Sequence, residues 1–166
     1  MGELRDKFFN DELSIQELEA LLQNQDWKNL LGLQADEWRD WVDGLDWENL
    51  GSSDLVNLIF KSIDVESGIE ELHYFGVGVV TNIVSNLNFT QENQEILGNL
   101  LIDVATDTDT YGDFFLDTCD EDLVAEWLNL YEILTQKSED KIRSQQLKSA
   151  RKELKQFFRE NFDSLD

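Results

Sequence analysis

Apolar side chains recur along this chain at three- and four-residue spacing, broken by short acid-rich stretches and by no proline at all. That spacing is the signature of amphipathic helices. Proline is common in the loops of β-rich proteins and excluded from helix interiors, so its absence points the same way. Gly2–Asn10 is expected to form a short helix with Leu4, Phe8 and Phe9 as its apolar edge. Ser14 and Glu17 make a capping box, and Leu18, Leu21 and Leu22 follow at helical spacing to about Gln25. A helix over Ala35–Val42 would put Trp38, Trp41 and Val42 on one face and Asp36, Arg39, Asp40 and Asp43 on the other. Asp26–Leu30 and Asp46–Leu50 share the pattern D-W-[KE]-N-L, which hints at a local duplication. Ser52 or Ser53 can cap a further helix carrying Leu55, Leu58, Ile59 and Ile63.

The longest stretch without Asp, Glu, Lys or Arg runs from Leu72 to Gln91, in a chain where 30% of residues are charged. Ser67 and Glu70 form a second capping box ahead of it, so a single buried helix over 68–87 is expected at the centre of the fold. Thr90 is expected to cap a helix to about Ala105, bearing Ile96, Leu97, Leu100, Leu101 and Val104. Residues 103–122, DVATDTDTYGDFFLDTCDED, read as an acid-dense loop. A helix over Glu121–Gln136 turns Leu123, Val124, Trp127, Leu128, Tyr131 and Leu134 inward. Ser138 is the candidate cap of the last and longest helix, to about Phe162, in which Leu147, Ala150, Leu154 and Phe157 repeat with heptad spacing. The expected fold is all-α: one domain of about six to eight helices around the central 68–87 helix, with a long C-terminal helix.

Composition supports a packed core. The 166 residues include eighteen aromatics, five of them Trp, which suits core anchors more than an exposed binding row. The charge is less ordinary. Residues 1–136 carry five basic and thirty acidic side chains, a net of −25, whereas residues 137–166 carry eight and six, a net of +2; together they make −23. An acidic body, 1–136, is thus followed by a basic amphipathic C-terminal segment, 137–166, packed on or extending from the same domain. A body so charged repels phosphate, which argues against direct nucleic-acid binding, and it attracts basic surfaces. Acidity that serves only solubility, or a salt-loving host, is the plainer alternative.

Candidate chemistry is sparse. Asp107, Asp109 and Gly112 fall at positions 1, 3 and 6 of a calcium-binding loop, but Tyr111 stands at position 5 and Thr118 at position 12, so the bidentate acid that closes the cage is missing. Only a weak, irregular cation site is left to residues 107–122. Glu70 and His73 give one Glu-x-x-His, whereas di-metal bundles need two, and His73 is the only histidine. Cys119, the only cysteine, stands beside Asp117, Asp120, Glu121 and Asp122, which disfavour its thiolate; an internal disulfide is excluded and a reducing compartment suits it. MGELRDKFF lacks the apolar core of a secretory signal, so the cytoplasm is the default. His73, Asn82, Asn86 and Asn88 make the uncharged run too polar for a membrane span. No catalytic residue, cofactor or metal ligand is therefore assigned.

Two carboxylate clusters remain as the candidate partner-binding residues. One is Asp36, Glu37, Asp40, Asp43, Asp46 and Glu48; the other is Asp103, Asp107, Asp109, Asp113, Asp117, Asp120, Glu121 and Asp122. Carboxylates held on a rigid frame can replace duplex phosphates in a basic groove. In charge and class, though not in motif, the chain resembles the small acidic helical proteins that inhibit nucleic-acid enzymes: toxin-immunity proteins and phage-type DNA mimics. The resemblance implies a non-enzymatic inhibitor whose partner is a basic nucleic-acid-binding enzyme or toxin. A structural adaptor that assembles through the C-terminal helix, for instance as a homodimer through 139–162, is the second expectation; a carboxylate–metal enzyme is the third.

Overall fold

Helices form the fold, and among the described residues there is no strand. The computed structural model describes residues 2–24, 29, 31–50, 54–65 and 68–162, without the side chains of Leu4, Ala35, Glu48 and Asn49. The first DWKNL copy and the candidate caps Ser52, Ser53 and Ser67 therefore lie outside the described residues, in whole or in large part. Ten helices and one single helical turn are seen among those described: α1 (Gly2–Phe9), α2 (Ile15–Gln23), α3 (Ala35–Asp43), the turn α4 (Trp47–Leu50), α5 (Leu55–Ile63), α6 (Ile69–Phe75), α7 (Val77–Ser85), α8 (Gln91–Thr106), α9 (Thr108–Thr118), α10 (Glu121–Lys137) and α11 (Lys141–Asn161).

The expected caps are largely where local chemistry puts them. The Ser14 hydroxyl accepts from the Glu17 N–H and the Glu17 carboxylate accepts from the Ser14 N–H, both at 3.2 Å, which pairs two donors that a helix start leaves open. Those hydrogen bonds hold the Glu17 carboxyl below its ordinary pKa, the backbone one most. Thr90 caps α8 through the Asn93 N–H. Ser138 loses its role to Asp140, whose carboxylate accepts from the Ile142 and Arg143 N–H groups.

Two expectations fail. The single helix over 68–87 is two helices, broken at Gly76, whose φ of +97° no helix accommodates. The acid-dense loop over 103–122 contains a regular helix, α9, between two capping aspartates. Both changes break the expected six to eight helices into more and shorter pieces.

In the packing, α11 lies along α10 and α8, and α10 in turn rests on α7; α2 packs on α5, beside α6 and α7. Phe115, Trp127, Tyr131, Leu154 and Phe158 are buried, with the Phe115 ring edge-on to Trp127 at 5.4 Å and to Phe158 at 5.3 Å. Each such ring contributes roughly 1.5–3 kcal/mol by leaving water. At the other end Phe8 stacks on Trp41, and Trp38 on Trp41, with ring centroids 4.4 and 5.2 Å apart. Trp38 and Trp127 are buried, while Trp41 and Trp47 pack half-buried against the core. Two buried polar joints fix the corners. Asn57 accepts from the Thr90 N–H and the Asn93 amide and donates to the Asn88 carbonyl, tying α5 to the entry of α8. The Tyr131 hydroxyl donates to the Leu101 carbonyl at 2.6 Å, tying α10 to α8, and its burial pushes its pKa upward.

Candidate functional site

The first acidic cluster lies on α3 and just beyond it. Trp38 and Val42 face the core, which leaves Asp36, Asp40 and Asp43 exposed on the outer face as the helical period requires. Its members differ in employment. Glu37 is half-buried; one oxygen meets the Arg5 guanidinium at 2.8 Å and the other accepts from the Gln34 N–H. Asp36 accepts from the Glu37 N–H. Asp40, its side chain 76% exposed, has Arg39 at 3.7 Å as its one ionic neighbour among the described residues. Asp46 is exposed, and the Glu48 side chain lies outside the described residues.

The second cluster is spread over α8, α9 and the start of α10, and all eight of its carboxylates are exposed. Asp107 caps α9 through the Thr110 N–H and Asp120 caps α10 through the Leu123 N–H. Glu121 and Asp122 occupy the first turn of α10, where the helix dipole favours negative charge. Those four have a folding role that accounts for them. Asp103 sits on the outer face of α8. Asp109, Asp113 and Asp117 are different: they recur at i, i+4 and i+8 along α9, and among the described residues no cation pairs with them. Their spacing along the helix axis is about 6 Å per step. Leu116, 42% exposed, stands among them as an apolar contact that sequence alone left unmarked.

A packed aromatic seam holds α9 in place. Phe115 is buried against Trp127 and Phe158, and Gly112 lies so close to Phe157 that a β-carbon there would come within 3.0 Å of its ring. The same helix gives Gly112 a different role from the one it would have in a calcium loop: it is where α11 approaches. Among the described residues, no three His, Cys, Asp or Glu side chains are grouped to hold a metal ion.

The two clusters are linked by α6. A polar cleft of about 520 Å³ at the Gly76 break is lined by Asp40 and Asp43 from α3, His73 and Tyr74 from α6, and Glu126 from α10. The Arg39 guanidinium lies 4.8 Å over the Tyr74 ring. The His73 ring meets Phe114 of α9 edge-on at 5.3 Å. Glu126 was not among the expected residues, because nothing in a linear pattern brings it to Asp40. Cys119 is half-buried, and its burial above all pushes the thiol pKa up, with Asp120 adding to the effect.

The helix α11, which carries seven of the basic side chains of the C-terminal segment, packs on α8 and α10. Leu147, Ala150 and Leu154 of α11 are buried against the chain's own core as the heptad spacing predicts, but the fourth buried position is Phe158, and the expected Phe157 is only partly buried. Arg151 donates to the Leu128 carbonyl and lies 3.9 Å from Glu132. Among the described residues no helix is long and apolar enough to cross a membrane. No protein-family model, no curated protein and no solved structure matches this chain.

Proposed function

We propose that this protein is a non-enzymatic inhibitor that occupies the basic nucleic-acid-binding surface of a nuclease, a defence effector or a toxin, its carboxylates standing in for phosphates. The observation that carries this reading is the α9 stripe: Asp109, Asp113 and Asp117, exposed, in line, without cationic partners among the described residues, on a helix held by Phe115 and Gly112. Steps of about 6 Å along a helix are close to two phosphate rises of about 3.4 Å along one DNA strand. Fixed carboxylates meet a basic groove without the ordering cost of a mobile acidic tail. Asp40 and Asp43 at the neighbouring cleft would extend the same surface.

The test is capture of binding proteins from a lysate at low and high salt, with the bound species identified by mass, for the native chain and for Asp109, Asp113 and Asp117 changed together to Asn. The native chain should retain a basic nucleic-acid-binding protein at low salt and release it to excess duplex DNA. With that protein purified, the slope of log K against log salt should be shallower for the triple variant than for the native chain. Salt-insensitive capture, or equal capture by the triple variant, sinks the proposal. The variant spares Asp107 and Asp120, whose loss would unseat α9 and α10 rather than report on binding.

A further inference from the structure

Five of the chain's thirteen Lys and Arg side chains line one groove of about 500 Å³ between α10 and α11: Lys148, Arg151, Lys152, Lys155 and Arg159. At about 100° per residue, Lys148, Lys152, Lys155 and Arg159 fall within an arc of about 60° on α11, in a row about 16 Å long. Two of the five have a folding role. Arg151 donates to the Leu128 carbonyl and lies 3.9 Å from Glu132 on the facing wall. Arg159 stands in the last turn of α11, where the helix dipole favours a cation. Neither role reaches Lys148, Lys152 or Lys155. Among the described residues none of these three, nor Arg159, makes an ion pair, in a chain with 36 Asp and Glu.

We propose that this groove binds a compact oligophosphate, a short chain of phosphate groups carried by a nucleotide or free in solution, with its oxygens on Lys148, Lys152, Lys155 and Arg159. Ammonium and guanidinium groups are the side chains that take phosphate oxygens, and a cleft lined by one sign of charge focuses its field on whatever enters. Gln136 of α10 adds an amide donor on the facing wall. The volume is that of a small-molecule site. Charge selects a short anion over a long one. A nucleic acid extending beyond the row meets the rest of the molecule, where residues 1–136 carry thirty acidic and five basic side chains, a net of −25. A compact anion stays in contact with the cations, whereas at physiological ionic strength charges beyond about 8 Å are largely screened. A lipid headgroup is disfavoured because Leu147, Ala150, Leu154 and Phe158, the apolar face of α11, are turned into the chain's own core and are not free to enter a membrane.

The site is separate from the α9 stripe. It lies on α10 and α11 and uses cations where the stripe uses carboxylates. It therefore does not depend on the inhibitor reading, and Asp109, Asp113 and Asp117 changed together to Asn should leave it intact.

The test is isothermal titration calorimetry of the full chain with orthophosphate, tripolyphosphate and adenosine triphosphate, in EDTA so that no divalent cation bridges phosphate to carboxylate. Tripolyphosphate should bind one to one with a Kd below about 1 mM, and at least about tenfold tighter than orthophosphate, since a longer anion reaches more of the cations. Comparison of adenosine triphosphate with tripolyphosphate distinguishes a nucleotide from an inorganic ligand. Lys148→Gln with Lys152→Gln should weaken tripolyphosphate binding by about tenfold or more. Both side chains are exposed, so circular dichroism should show the native helix content. Lys7→Gln with Lys61→Gln removes the same charge from α1 and α5 and should change binding by less than about twofold. A native chain that does not bind tripolyphosphate up to about millimolar concentration overturns the proposal. So does equal weakening by the two pairs of substitutions, orthophosphate binding as tightly as tripolyphosphate, or loss of binding in the α9 triple variant. Retention on duplex DNA or on phosphoinositide vesicles without tripolyphosphate binding overturns it as well.

Discussion

At the scale of single residues, two glycines carry information that composition hides. Gly112 sits in the interior of α9, where alanine would ordinarily stabilise a helix by up to about 1 kcal/mol. Here the added methyl would lie 3.0 Å from the Phe157 ring, whose neighbours Phe115 and Phe158 limit its retreat. Gly112→Ala should therefore destabilise the protein by about 1–3 kcal/mol, against the propensity trend. Urea unfolding checks the sign, and Phe157→Leu in the same chain should recover part of the loss. An unchanged or raised midpoint for Gly112→Ala would show that α9 is not held against α11 at this point. The same glycine fell at position 6 of the calcium-loop comparison in the sequence. Spacing alone cannot distinguish a glycine that turns the chain from one that admits a neighbouring ring.

At the scale of elements, the break between α6 and α7 makes the paired prediction. Gly76 adopts φ +97° and ψ +126°, a region that L side chains rarely enter, although a β-carbon there would meet nothing closer than Val79 at 3.8 Å. Gly76→Ala should cost about 1–3 kcal/mol through backbone strain alone. Gly78, two residues on and within α7, has no such strain and open space up to Glu126, so Gly78→Ala should be neutral or stabilising. Thermal unfolding of the two variants side by side separates strain from simple helix propensity; equal behaviour would mean that the backbone at Gly76 is not strained for an L residue. Such elements were legible in the sequence to the extent that their causes are local. The Ser14–Glu17 box and the Thr90 cap act over three residues and were readable as written. The starts of α3 and α10 and the buried face of α11 follow from the apolar period. The Gly76 break was not readable, since Leu72 and Phe75 before it and Val77, Val79 and Val80 after it continue the apolar run across it. Nor was the cleft that joins Asp40 to Glu126, because that meeting depends on how α3, α6 and α10 pack. Of the two acidic clusters, sequence supplied the members but not their duties, and only the helix caps show that Asp107 and Asp120 are spoken for.

At the scale of the whole molecule the net charge of −23 enters every measurement, and its effects differ in sign. Like charges crowded on a folded body oppose compaction, and only three ion pairs, Arg5–Glu37, Arg39–Asp40 and Arg151–Glu132, are seen among the described residues. Partly exposed pairs of this kind contribute roughly 0–1 kcal/mol each, too little to offset repulsion across the surface. At low ionic strength, about 0.01 M, the screening length is about 30 Å and most of the molecule's charges feel one another; near 1 M it falls to about 3 Å. Added NaCl should therefore raise the melting temperature, with most of the gain below the concentration at which screening is complete. Differential scanning calorimetry across that range checks it, and a melting temperature that falls or stays flat would mean that the carboxylates are neutralised in the folded state. The consequence for function is direct. The fold should strengthen as salt rises, whereas the α9 stripe should lose its basic partner over the same range. A binding signal that disappears at high salt while the melting temperature climbs cannot be attributed to unfolding. Loss of that signal in the Asp109, Asp113 and Asp117 triple variant, at an unchanged melting temperature, would then assign it to the α9 stripe.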